Sequence, residues 1–259
     1  MRHTCVFCNQ EPQKWSAEHA IPQWLLDYMG ITAQNQTFQG YAASGGDLEE
    51  RRIFATRRFV EGRVCASCNN GWMSELENSA RPLLIALFEH KRGLWELTAD
   101  EAALVAKWAV KSAYVLANVS LASAPAPPAH LREMCGRTGR IPAGVCVFGF
   151  QIGYDQHVSF LQIPAWPRVA DGGRTPERVE SDAGTYKIAW QIRNLMLLVA
   201  RYSDPTAQLV PVAGLHVPIW PTERLLWPGY RSWSIPPFAS SLPILKAFAE
   251  TLAVFVPDR

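Results

Sequence analysis

The spacing of apolar residues along this chain changes near residue 144. Before it, the clearest pattern is helical. Thr98-Ala99-Asp100-Glu101 reads as a capping box, in which a side-chain oxygen and a carboxylate satisfy the first free amides. Leu104, Trp108, Ser112, Val115 and Val119 follow at every third or fourth position. That stripe predicts a helix over 98–119 with Lys107 and Lys111 on its outer side. Ser74-Glu75-Leu76-Glu77 reads as a second box, opening a helix to about His90 that Pro82 breaks or restarts. Pro22 opens a shorter helix, with Trp24, Leu25, Leu26, Tyr28 and Met29 on its apolar side before Gly30 ends it. After residue 144, β-branched and aromatic residues dominate 145–153, 158–163 and 185–202. These runs predict three to five mostly antiparallel strands, with turns such as Asp171-Gly172-Gly173 between them. Earlier strands are expected over 15–20, around 37–41 and over 51–64. Leu245, Phe248 and Leu252 predict a packing helix over 243–255. The pattern is that of an α+β protein: a helical middle, then a mostly antiparallel β portion with a terminal helix. A linker is expected near 123–129, with domains over 1–95 and 96–259.

Composition narrows the class. With 259 residues, 48% hydrophobic and 19% charged, the chain can bury an ordinary globular core. Ten tryptophans and nineteen prolines point to an irregular, turn-rich architecture. A formal charge of +2 does not mark a nucleic-acid binder, so a binding surface must come from clustered charge. The densest cluster is Arg51, Arg52, Arg57, Arg58 and Arg63 against the single acid Glu61. On one strand Arg51, Arg57 and Arg63 share a face, and they are the set expected to track phosphates. The first residues lack an apolar secretory core, and no stretch is long and uncharged enough to span a bilayer. A cytoplasmic protein without a membrane partner is expected.

The chemistry sits in two cysteine pairs. Cys5-x-x-Cys8 and Cys65-x-x-Cys68 supply four thiolates for one tetrahedral zinc ion. The 56 residues between Cys8 and Cys65 exceed a ribbon spacing, so they read as an insertion closed at its base by the metal. Without a secretory signal, paired cysteines favour metal ligation over disulfides. Cys135 and Cys146 are left over as buried thiols. A thiol redox protein also uses CxxC, but neither pair here sits in a βαβ context. A zinc module that binds nucleic acid or protein without catalysis would use the same cage.

The first pair is followed by Glu18-His19-Ala20-Ile21-Pro22, and the second by Asn69, Asn70 and a helix start. CxxC, Glu-His-x-x-Pro, CxxC-Asn and then a helix resembles the HNH endonuclease family, in particular its zinc-stapled branch with a ββα-metal finger. The resemblance covers residues 1–80. It implies a metal-dependent endonuclease that hydrolyses phosphodiester bonds in DNA, most naturally double-stranded, in a prokaryotic or phage-encoded setting. By position, it makes His19 the general base, Glu18 a ligand of a catalytic Mg²⁺ or Mn²⁺, and Asn69 the second ligand, with Asn70 adjacent. The zinc on Cys5, Cys8, Cys65 and Cys68 would be structural. The family's central Asn has no counterpart here, since Phe59-Val60-Glu61-Gly62 stands in its place. A non-catalytic module would not need the Glu18-His19 pair. Trp15 and Trp72 are expected as anchors of the finger core, and no histidine other than His19 has a partnering pattern.

Overall fold

The protein is seen in a computed structural model that describes residues 4–30, 37–44, 47–55, 60–119, 126–153, 158–162, 166–170, 173–179, 184–211, 216–221 and 242–255. Strand β1 (Trp15–His19) leads into the short helix α1 (Gln23–Tyr28), which buries Leu25 and Leu26. Strands β2 (Thr37–Ser44) and β3 (Asp47–Ala55) pair antiparallel with each other. Strand β4 (Val60–Cys65) then returns to pair antiparallel with β1, setting Trp15 opposite Cys65 and His19 opposite Val60. The single strand expected over 51–64 is therefore two strands in two sheets, with 56–59 between them outside the described residues.

A three-residue helix α2 (Ala66–Cys68) and a wide turn over Asn69–Met73 lead into α3 (Ser74–Phe88). The turn kinks at Gly71, whose ψ of −114° leaves helical geometry. The backbone is helical again by Met73, so Ser74 lies inside a helix already under way and caps nothing. The box expected at Ser74–Glu77 does not form. Pro82 does not break α3 either. It lies on the exposed side with Arg81, while Leu83, Leu84, Leu87 and Phe88 are buried. Burial of that apolar face outweighs one lost backbone hydrogen bond.

Helix α4 (Ala99–Val119) starts with the expected box: the Thr98 amide donates to the Glu101 carboxylate at 2.9 Å, and the Glu101 amide to Thr98 Oγ1 at 3.3 Å. It is buried on nearly every side from Val105 to Ala117, where a one-stripe helix was expected. Of the linker expected near 123–129, 120–125 lie outside the described residues, and Pro128 opens α5 (Pro128–Glu133).

The remaining elements are β5 (Cys146–Gln151), β6 (Val158–Gln162), β7 (Trp166–Ala170), β8 (Gly173–Val179), β9 (Tyr186–Ile192), β10 (Leu195–Arg201), β11 (Gln208–Pro211), β12 (Val217–Trp220), α6 (Leu242–Glu250) and β13 (Leu252–Phe255). The run 185–202 is a hairpin, turned at Arg193 with φ 53°. The expected terminal helix stops at Glu250, and the residues after it form β13. A seven-stranded sheet in the order β12-β5-β10-β9-β6-β2-β3 is antiparallel except where β2 runs parallel to β6. Strands from both sides of residue 95 thus share one sheet. A four-stranded sheet has the order β11-β13-β7-β8.

Strands β5, β9 and β10 of the large sheet are covered on both faces, which explains their unbroken apolar runs. Ile188, Trp190, Leu197 and Val199 face α4, and Trp108 stacks on Trp190 with ring centroids 5.1 Å apart. Ala189, Met196, Leu198 and Phe148 face Leu245 and Phe248 of α6. The first of these cores is continuous with Cys5, Phe7, Cys65 and Cys68, so the cysteine region packs directly on α4 and the sheet.

Candidate metal centre

The first knuckle is a tight turn in which the Cys5 amide donates to Gln10 O and the Asn9 amide to Cys5 O. Asn9 takes φ 57°, the left-handed region that Asn tolerates better than most residues. The second knuckle is the end of β4 and helix α2. Backbone bonds from Val6 N to Arg63 O and from Ala66 N to Lys14 O tie the two together. The sulfurs of Cys5, Cys8, Cys65 and Cys68 converge within 4.8 Å of one another. A tetrahedral ion with Zn–S bonds of about 2.3 Å sets its sulfurs about 3.8 Å apart, and Cys8 and Cys65 stand 3.7 Å apart. The Cys65 and Cys68 amides donate to Cys5 Sγ and Cys65 Sγ, each at 3.4 Å, a pattern that steadies thiolates. The hydrogen bond that the Cys5 thiol donates to Cys68, together with burial, pushes Cys5 up to about 12, and burial also raises Cys8. Sulfurs packed this closely need a cation to become thiolates. The four-cysteine cage can hold one zinc ion, with no place for an open coordination position.

A fifth sulfur lies beside the cage. Cys135, half-buried in the loop after α5, has its Sγ 3.9 Å from Cys68 Sγ. No spacing motif points to it. Its hydrogen bond raises the Cys68 thiol, while the same bond lowers Cys135. Cys146 is buried on β5, as expected of a leftover thiol. Trp72 is buried with its ring edge-on to Phe7 at 5.6 Å, whereas Trp15 is 39% exposed and anchors no core.

His19 ends β1, half-buried, and its ring makes no hydrogen bond among the described residues. Asn69, in the turn after the cage, reaches back to the same strand. Its Nδ2 donates to Ser16 Oγ at 2.8 Å and to Ala17 O at 3.2 Å. A carbonyl only accepts, so the amide nitrogen must face Ala17, and Oδ1 has no partner among the described residues. Asn70 is exposed and its side chain has no partner among the described residues.

Glu18 faces the other way and is 5% exposed. Its Oε1 accepts from Lys111 Nζ of α4 at 2.8 Å, and Glu77 Oε1 of α3 accepts from the same nitrogen at 2.6 Å. Lys111, expected on the outer side of its helix, is wholly buried, at 0% exposure. Burial opposes its charge, but Glu18 and Glu77 outweigh that and hold the ammonium above its ordinary range. The carboxylate expected to hold a divalent ion is already paired with a buried cation. A Mg²⁺ or Mn²⁺ site on Glu18 and Asn69 does not fit the residues in this arrangement. Glu75, the other acid of the expected box, pairs with Arg137 on the surface.

Of the three arginines expected to track phosphates, Arg57 lies outside the described residues, Arg51 is on β3 and Arg63 on β4. Arg63 is 60% exposed and pairs with Glu61. With Arg132, Asn118 and Thr4 it lines a cleft of about 530 Å³ between the first knuckle and helices α4 and α5. The remaining described histidines serve the fold: His90 meets Asn194, His130 meets Tyr186, and His216 meets Phe248 O. Among the described residues no helix is long and apolar enough to cross a membrane. Compared with known families, curated proteins and solved structures, the chain matches none.

Proposed function

We propose that the chain is an HNH-type endonuclease that hydrolyses phosphodiester bonds in DNA, with a structural zinc ion on Cys5, Cys8, Cys65 and Cys68 and His19 as general base. The observation that carries the reading is His19 itself. Its imidazole, at the end of β1, has no hydrogen-bond partner among the described residues, and its strand is braced by Asn69 from the turn that follows the cysteine cage. A base needs a free ring nitrogen within reach of water, and a fixed backbone to aim it. The succession of paired strands β1 and β4 and then a helix supports a ββα-metal finger around it. In this reading His19 takes a proton from water as the oxygen attacks phosphorus in line, and the opposite P–O bond breaks, its electron pair staying on the departing oxygen, which takes a proton from solvent. Arg63 and Arg132, beside their cleft, supply cations for backbone phosphates, which position DNA without reading its sequence. No step runs through a divalent ion on Glu18.

Nicking of supercoiled plasmid by wild type and His19→Ala tests the proposal. The variant should lose about 10²–10⁴ in rate with zinc content and fold unchanged. Equal rates would end the role of His19 and this reading with it. One observation favours a second reading, a zinc-stapled binding module without catalysis: the commitment of Glu18 to Lys111. That reading predicts DNA retention that weakens with salt and no nicking by the wild type.

A further inference from the structure

Three separate elements converge on one buried point. Glu18 comes from β1, Glu77 from the first turn of α3 and Lys111 from the middle of α4. The two carboxylates approach the same nitrogen at 2.8 and 2.6 Å, the range of charge-assisted hydrogen bonds. Two carboxylates this close repel each other and resist burial unless a cation stands between them. In oxygen-lined sites that cation is commonly Mg²⁺ or Ca²⁺. Here a cation is part of the chain.

We propose that Lys111 is the resident cation of the Glu18–Glu77 pair, occupying the position a divalent ion would take. Glu18 is then a positioning residue that fixes the strand end carrying His19, and is not a metal ligand. A divalent ion on the second oxygen of Glu18 would stand within a few ångströms of the ammonium and be repelled by it. For the ion to enter, Lys111 would have to lose its proton or leave its pocket. The two carboxylates oppose the first, and packing of α4 on α3 and the sheet opposes the second. The importance given to the strand end rests on the nuclease reading. The cation assignment does not.

Mn²⁺ titration of the zinc-loaded full-length protein, followed by loss of the free-ion electron paramagnetic resonance signal, tests the assignment. The wild type should bind no Mn²⁺ that Glu18→Gln removes. Lys111→Met uncovers the acid pair, and its Mn²⁺ affinity should exceed that of the wild type by at least about tenfold. This binding should disappear in Lys111→Met with Glu18→Gln, and Mn²⁺ should raise the Tm of Lys111→Met only. One Mn²⁺ bound by the wild type and lost in Glu18→Gln would overturn the proposal. An identical Mn²⁺ response of wild type and Lys111→Met would do the same. If Lys111→Met does not fold even with Mn²⁺, the wild-type and Glu18→Gln titrations still decide. Failure of the nuclease reading, seen as His19→Ala cutting like wild type, leaves these binding results untouched, so the two fail separately.

Discussion

Once Cys68 is a metal-bound thiolate it can only accept, so Cys135 is the donor across their 3.9 Å contact. Cys135 then supports the cage without belonging to it. Cys135→Ala should retain about one zinc per chain, while Cys68→Ser releases it, as elemental analysis of the purified proteins would measure. Loss of zinc from Cys135→Ala would make it a ligand. The four cage cysteines were legible in sequence because each knuckle is local: two residues between cysteines let both sulfurs point to one site. Cys135 was not, since its contact with Cys68 depends on how 66 intervening residues fold. Lys111 was misread for a different reason. A stripe at 104, 108, 112, 115 and 119 describes a helix with one wet side, and Lys111 fell on that side. The overlooked signal was the scarcity of charge, with only Lys107 and Lys111 charged between Glu101 and Val119. A helix that apolar is buried all round, and a charge inside it needs partners.

At the scale of elements, the join between β9 and α6 carries a second buried lysine. Lys187 Nζ donates to Ala249 O at 3.0 Å and Leu252 O at 3.5 Å, at the end of α6 where carbonyls lack helical partners. Burial lowers its pKa to about 7, with Glu250 opposing the shift. Below about 7 the lysine is charged in the folded and unfolded chains alike, and the cost of burying the charge is fully present. From about 7 to its ordinary value of 10.5 the unfolded chain binds the proton more fully than the folded one. Stability therefore gains from rising pH across that window, with a slope of at most about 1.4 kcal/mol per pH unit. Urea unfolding at several pH values should show this slope in the wild type and a flatter one in Lys187→Met. Equal slopes would mean that Lys187 titrates normally. Strands β5, β9 and β10 were legible from their β-branched runs. Strand β13 was not, because Leu252 follows Leu245 and Phe248 at helical spacing, and only pairing with β7 and β11 decides for a strand. Likewise, 51–64 carried strand composition throughout but no mark of the break between two sheets.

At the scale of the molecule, the cysteine region shares its core with α4 and the large sheet. A fragment ending at residue 95 keeps every cage cysteine but loses Lys111, so Glu18 and Glu77 are left buried without their cation or must be solvated. It should bind zinc yet show poor amide dispersion by NMR, where the full chain shows fixed tertiary structure. A well-dispersed spectrum would instead make the region self-sufficient. The parallel pairing of β2 with β6 has a consequence for how the protein is made. On a ribosome the β2–β3 hairpin emerges roughly a hundred residues ahead of the strand that receives it, about 5–20 s at ordinary elongation rates. For that interval the hairpin offers an unfilled edge to every other nascent chain nearby, and the cell must shelter it until residue 162 has been synthesised.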